Sequence, residues 1–116
     1  MKITAAKLSK SKSHRDAFVA SQINVGLPFQ IRALRKQRGL TQQELAAMTG
    51  MLKPWISAIE KAGAGQLNLD NLKRVAAALD VGLLVKFVSF SELIKSNNDF
   101  SPDEFSVPSF DAEIDG

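Results

Sequence analysis

The run Thr41-Gln-Gln-Glu44, followed by Leu45 and Ala46 and closed by Gly50, constrains this chain more than any other stretch. A threonine hydroxyl that accepts the N–H three residues on, with a glutamate there reaching back to the threonine N–H, is a capping box. It fixes where a helix begins. Gly50 fixes where that helix ends, because a tight turn between two helices needs a positive φ that glycine adopts without steric cost. Leu45, Ala46 and Met48 form its inner side. A second helix follows, about Lys53 to Lys61, with Ile56 and Ile59 turned inward. Ala46, small and facing the turn, lets the two approach closely.

The flanks extend the same pattern. Pro28 suits a first helical turn, where its missing N–H would be unpaired anyway. Ile31 and Leu34 then share a face with Arg35 and Arg38 beside it, and Gly39 supplies a stop. Downstream, Asn68 caps a helix whose Leu72, Val75, Ala76 and Leu79 keep the i, i+3, i+4, i+7 order. Nearer the start, Ser13 is placed to cap a helix with Asp16 three residues on, and AFVASQI follows until Leu27-Pro28 interrupts after Gly26. Residues 83–90, LLVKFVSF, are β-branched and aromatic and read as a strand. A short helix over 91–97 precedes a polar, acidic end broken by Pro102 and Pro108. The fold expected is mainly α, a bundle of four or five short helices with one C-terminal β-strand and an acidic tail. Its divisions are a flexible basic arm (1–12), an N-terminal helix (13–26), a helical domain (27–82), a strand and short helix (83–98) and the tail (99–116).

Charge is distributed unevenly over the 116 residues. All 15 Lys and Arg lie in residues 1–95 with 6 of the 12 acids, about +9 net, and the other 6 acids leave residues 96–116 at about −6. A basic body of this kind points to a polyanionic partner. Cysteine is absent, which removes disulfides, zinc-thiolate sites and thiol chemistry. His14 is the lone histidine and there is no Tyr, so acid–base candidates are few. No paired carboxylates, metal-spaced cluster or phosphate-cradling Gly-rich loop is visible, and an enzyme, a metal or a cofactor is not expected. No apolar run approaches the roughly 18 residues of a membrane span, and MKITAAKLSKSKSHR lacks the apolar stretch of a signal peptide. The expected location is cytoplasmic, associated with the bacterial nucleoid.

IRALRKQRGLTQQELAAMTGMLKPWISAIEK resembles the XRE family of Cro- and phage-repressor-type helix-turn-helix domains. The resemblance covers about residues 27–82 and rests on RxxRGLTQQELA, Gly50, WISxIE and the LxxLxxVAxAL ending. It implies that the helix from Lys53 enters the major groove of double-stranded DNA. Lys53 then donates to a base or phosphate, Ser57 reaches a base edge, and Ala58 lies against a thymine methyl. Gln42 and Lys61 hold phosphates, and Trp55 packs along the backbone or against the Gly63–Gly65 loop. Outside this motif each would be an ordinary surface residue. Arg35 and Glu60 match an ion pair tying the first helix of the domain to the third. Two features depart from the family pattern: Met51 and Leu52 stand where a Ser or Thr cap is usual, and Pro54 replaces a polar reader with an apolar surface. The loop AGAGQLN carries no charge, so its backbone N–H groups would have to meet phosphates.

A lone strand leaves its N–H and C=O groups unpaired. LLVKFVSF is therefore expected to pair with the same segment of a second copy, giving a homodimer on a palindromic operator; the alternative is a hairpin with residues 2–8. A helix-turn-helix followed by an apolar strand and a short tail is also similar in architecture to antitoxins of bacterial toxin–antitoxin operons, which implies a toxin partner for the C-terminal region. Phe100, Phe105 and Phe110 recur every five residues, a spacing that suits neither helix nor strand. The tail is open to three readings: a solvated segment, a docking peptide, or a competitor with DNA. The function expected is a DNA-binding transcriptional regulator, a repressor of its own operon or an antitoxin of this kind.

Overall fold

A computed structural model describes residues 4–61, 67–100 and 105–115. In chain order the helices are α1 (Ala5–Leu8), α2 (Lys12–Ser21), α3 (Leu27–Gln37), α4 (Gln42–Thr49), α5 (Lys53–Ile59), α6 (Leu69–Leu79), α7 (Phe90–Asp99) and α8 (Phe110–Asp115), with a π-helical turn at Gln22–Gly26. Helices α3 to α6 surround one apolar core. Ile31 and Leu34 enter it from α3, Leu45 and Ala46 from α4, Ile56 and Ile59 from α5, and Leu72, Val75 and Leu79 from α6. Met51, in the turn after Gly50, is buried with them.

Local chemistry sets each boundary. Thr41 Oγ1 accepts from the Glu44 N–H at 3.1 Å and Glu44 Oε1 accepts from the Thr41 N–H at 2.9 Å, so the capping box is complete. Gly39 and Gly50 take φ of +66° and +73°, and Asn68 Oδ1 caps α6 through the Asn71 N–H at 2.8 Å. Met48, expected inside, is exposed. At 100° per residue the buried stripe of α4 is centred between Leu45 and Ala46. It includes half-buried Thr49 rather than Met48.

Four expectations outside the core are corrected. Ser11, not Ser13, caps α2, its hydroxyl accepting from the His14 N–H at 3.2 Å, while Asp16 pairs with Lys12 at 2.7 Å. The stretch expected as a flexible arm contains α1, capped by Thr4, with Leu8 buried, so residues 4–8 offer no strand for a hairpin. Leu27-Pro28 does not end the preceding helix. Pro28 lacks the N–H that an unbroken α-helix would aim at the Asn24 carbonyl, and the wider turn at Gln22–Gly26 absorbs the missing bond and leads into α3. The expected C-terminal β-strand is not formed. Residues 81–89 form no helix and no ladder, and from Gly82 on they are exposed, because β-propensity makes a strand only where a neighbouring backbone exists to pair with.

Beyond that segment, Ser89 caps α7, and Gln22 Nε2 donates to Asn97 Oδ1 at 3.0 Å, holding α7 to the π-helical turn. Phe29 meets Phe100 edge-on at 6.2 Å, and Phe100 meets Phe105 at 5.3 Å. Phe105 and Val107 pack against the core beside α3 and α6. Gln37 donates to the Phe105 carbonyl, and Arg38 to those of Leu79 (2.7 Å) and Val107 (3.1 Å). The Phe110 N–H bonds to the Asp80 carbonyl at 2.9 Å as α8 begins. Within the tail, Phe105 and Val107 thus dock on the chain's own body, while Phe110 and the rest of α8 stay exposed. Among the described residues no helix is long and apolar enough to cross a membrane.

Candidate nucleic-acid interface

Helix α5 begins without a side-chain cap: Leu52 holds the N-cap position with extended backbone, and Pro54 sits in the first turn. The Met51 N–H bonds to the Ala46 carbonyl at 3.1 Å, so the turn after Gly50 is anchored by backbone and by the buried Met51 side chain. With Ile56 and Ile59 committed to the core, Lys53, Pro54, Trp55 and Ser57 face outward and Ala58 is half-exposed. Trp55 is 46% exposed and Leu52 beside it 64%, an apolar ledge at the start of the helix.

Along the other end of α5 an open cleft of about 530 Å³ separates it from α3. Gln42, Ser57 and Lys61 line it together with Arg32, which sequence reasoning did not single out. Arg32 lies three residues before Arg35 on α3. Its alignment with Lys61 depends on how α3 and α5 cross, which no spacing rule supplies. Arg32, Lys53 and Lys61 form no ion pair among the described residues, so their charge is available to an anion. Lys53, Pro54, Trp55 and Ala58 do not line this cleft; the outward positions of α5 thus divide between its start and the cleft. The readings that placed the 62–66 part of the AGAGQLN loop against phosphate, or Trp55 against it, fall outside the described residues.

The floor of the cleft is an ion pair. Arg35 Nε donates to Glu60 Oε2 at 2.7 Å and Nη2 to Oε1 at 2.9 Å, while Nη1 donates to the Leu40 carbonyl at 2.8 Å. The two side chains are only 10% and 4% exposed. Hydrogen bonding to Glu60, and then its charge, hold the Arg35 pKa above its already high ordinary value, so the guanidinium stays charged. Gln42 Nε2 donates to Glu60 Oε1 at 3.3 Å, so this pair also sets the position of Gln42 at the N-terminus of α4. A helix N-terminus favours an anion.

Glu44 responds to pH through the same cap. The Thr41 N–H, followed by the Thr41 side chain, holds its carboxyl below the usual glutamate value. A depressed folded-state pKa adds stability above the unfolded value and loses it as pH falls through the folded one. The advantage of the native chain over Glu44→Gln should therefore be constant near neutrality and vanish on acidification below about pH 4. Thermal melts of both proteins across pH measure it; a difference that survives at lower pH would exclude the carboxylate as its source.

Residues 31–85 match the sequence model of the helix-turn-helix family. No curated protein and no solved structure matches the chain.

Proposed function

Residues 31–85 form an XRE-type helix-turn-helix domain, the domain of a DNA-binding transcriptional regulator, and on that premise we propose that the protein is a dimeric, sequence-specific repressor acting in the cytoplasm on its own operon. The observation that supports this best is the cationic cleft, in which Arg32 and Lys61 flank Gln42 and Ser57 beside the outward face of α5. A phosphate in this cleft meets two unpaired cations and the N-terminus of α4. The start of α5, at the opposite end of the helix from the cleft, then enters the major groove, with Lys53 toward a guanine edge and Pro54 and, further along, Ala58 against thymine methyls. Trp55 packs along the sugar–phosphate backbone. Two copies on a two-fold site set their α5 helices about 34 Å apart.

The test is a mobility shift with the protein's own upstream DNA over a range of salt. Lys61→Ala should weaken all sequences alike and flatten the salt slope by about one unit, because one phosphate contact is lost. Lys53→Ala should cost about 1–3 kcal/mol and relax preference at one base pair. An affinity indifferent to salt would contradict the electrostatic scheme.

A second reading, an antitoxin that also binds a toxin protein, has its own support. Helix α8 leaves Phe110 and Ile114 exposed one turn apart among Asp111, Glu113 and Asp115, an acidic helix with an apolar stripe. A toxin-like neighbouring reading frame whose product co-purifies with the full chain, and is released by Phe110→Ala with Ile114→Ala, would select this reading.

A further inference from the structure

A second cleft, of about 290 Å³, lies between the π-helical turn, the start of α3 and the end of α7. The turn and α3 make one wall. Gln22, Gly26, Phe29 and Gln30 follow the i, i+3, i+4 spacing that puts positions on one helical face, and all four line the cleft. Asn97 and Phe100 line it from α7. Although 23% of the chain is charged, no charged residue lines this cleft. A neutral lining offers an ionic ligand nothing to offset its desolvation, so the cleft suits an uncharged one.

Its carboxamides have unused hydrogen-bonding capacity. Gln22 Nε2 donates to Asn97 Oδ1 at 3.0 Å, which leaves Gln22 Oε1 and Asn97 Nδ2, an acceptor and a donor, without a partner among the described residues. The half-buried Gln30 side chain makes no hydrogen bond among them either. Gly26 points the same way. Its φ of −66° and ψ of −44° are ordinary helical values, and a Cβ placed there would meet nothing within 4 Å. Neither conformation nor packing within the described chain calls for glycine, and glycine in a helical run costs stability relative to alanine. The use left for a missing side chain is to let something from outside the chain approach the backbone. The π-helical turn that carries this wall is itself a feature met most often at functional sites.

We propose that this cleft binds a neutral purine, as free base or nucleoside, and that Phe29 transmits its occupancy to the cationic cleft. A carboxamide reads the adenine N6–N7 edge through one donor and one acceptor. Gln30 has both groups available, and Gln22 Oε1 with Asn97 Nδ2 offers a second such pair. Phe29 and Phe100, edge-on at 6.2 Å, supply ring surface on which a flat base stacks. The volume lies near the lower end of the roughly 300–1,000 Å³ of small-molecule sites, the size for a base or nucleoside rather than a larger cofactor. Val25 and Phe29 also line the cationic cleft, where Arg32 follows Phe29 by one turn of α3. A base stacked on Phe29 therefore rests on a wall shared with the site proposed to hold phosphate. The transmission, unlike the binding, rests on the repressor reading above.

Isothermal titration calorimetry of the full chain with adenine and adenosine should give a one-to-one complex. Indole, flat but without the N6–N7 edge, should bind about ten-fold more weakly or worse. Gln30→Leu and Gly26→Ala should each weaken adenosine by about ten-fold or more, and Gly26→Ala should leave Tm unchanged or higher, so that lost binding is not lost fold. In a mobility shift, saturating adenosine should change DNA affinity by about five-fold or more, and DNA should change adenosine affinity by the same factor. No binding of either purine at millimolar concentration would overturn the site, as would binding that both variants retain, or indole binding as tightly as adenine. Purine binding that leaves DNA affinity unchanged would overturn the transmission. A chain that binds purine in the calorimeter but no DNA in the gel would overturn the repressor reading and leave the purine site standing.

Discussion

Glu60→Ala should destabilise the protein by about 3–5 kcal/mol, lowering Tm by roughly 15 °C or more. The cause is the guanidinium left behind. Arg35 is buried between α3 and α5, and without the carboxylate two of its three hydrogen bonds disappear, leaving only the one to the Leu40 carbonyl. The desolvation cost of the charge remains and its compensation is lost. Replacing both partners by apolar residues of similar volume, Arg35→Met with Glu60→Leu, removes the stranded charge and should recover most of the stability. The double variant should still lose DNA affinity, since Gln42 would have lost the acceptor that positions it. Denaturant unfolding of both variants decides the matter; a loss below about 1 kcal/mol in the single variant would reduce the pair to the standing of a surface ion pair.

The second large effect is expected at Ile56, which is fully buried under α5. Ile56→Ala removes apolar contact and leaves a cavity beneath the helix proposed to enter the groove, at about 2–5 kcal/mol. Met48→Ala, two positions before Gly50 and exposed, should change stability by no more than about 0.5 kcal/mol. The contrast is informative because hydrophobicity alone would rank the two residues together. Urea unfolding measures both, and equal costs would contradict the assignment of the core stripe of α4.

That contrast also shows how much of the fold was readable in advance. Features that depend on a few neighbouring residues were legible: the Thr41–Glu44 box, the positive φ at Gly39 and Gly50, the Asn68 cap and the stripe of α6. The Arg35–Glu60 pair was legible through the resemblance to a family, not through spacing, since the partners are 25 residues apart. Features that depend on several elements at once were not. Arg32 belongs to the cleft only because α3, α4 and α5 converge there. The π-helical turn follows from Pro28 and the continuation of the helix past it, where the pattern suggested a break. LLVKFVSF carries strand propensity, but propensity supplies no partner. The phenylalanines at five-residue spacing looked aperiodic because they share no single face: Phe100 meets Phe29 of α3, Phe105 packs against the core, and Phe110 is exposed at the start of α8.

The tail contacts also have a consequence for the order in which the molecule is assembled. Helices α3 to α6 are complete in sequence at Leu79, and their core contacts are comparatively local. The contacts that cover the α3–α6 groove join residues 68 and 69 apart, Gln37 with Phe105 and Arg38 with Val107. During synthesis the groove must therefore stand open until those residues have emerged, an interval on the order of a few seconds at ribosomal speeds. By its end the nascent chain carries both the cleft proposed to contact DNA and the Val81–Ser89 segment. Another nascent copy can therefore meet the growing chain before its own C-terminus has arrived to close the groove.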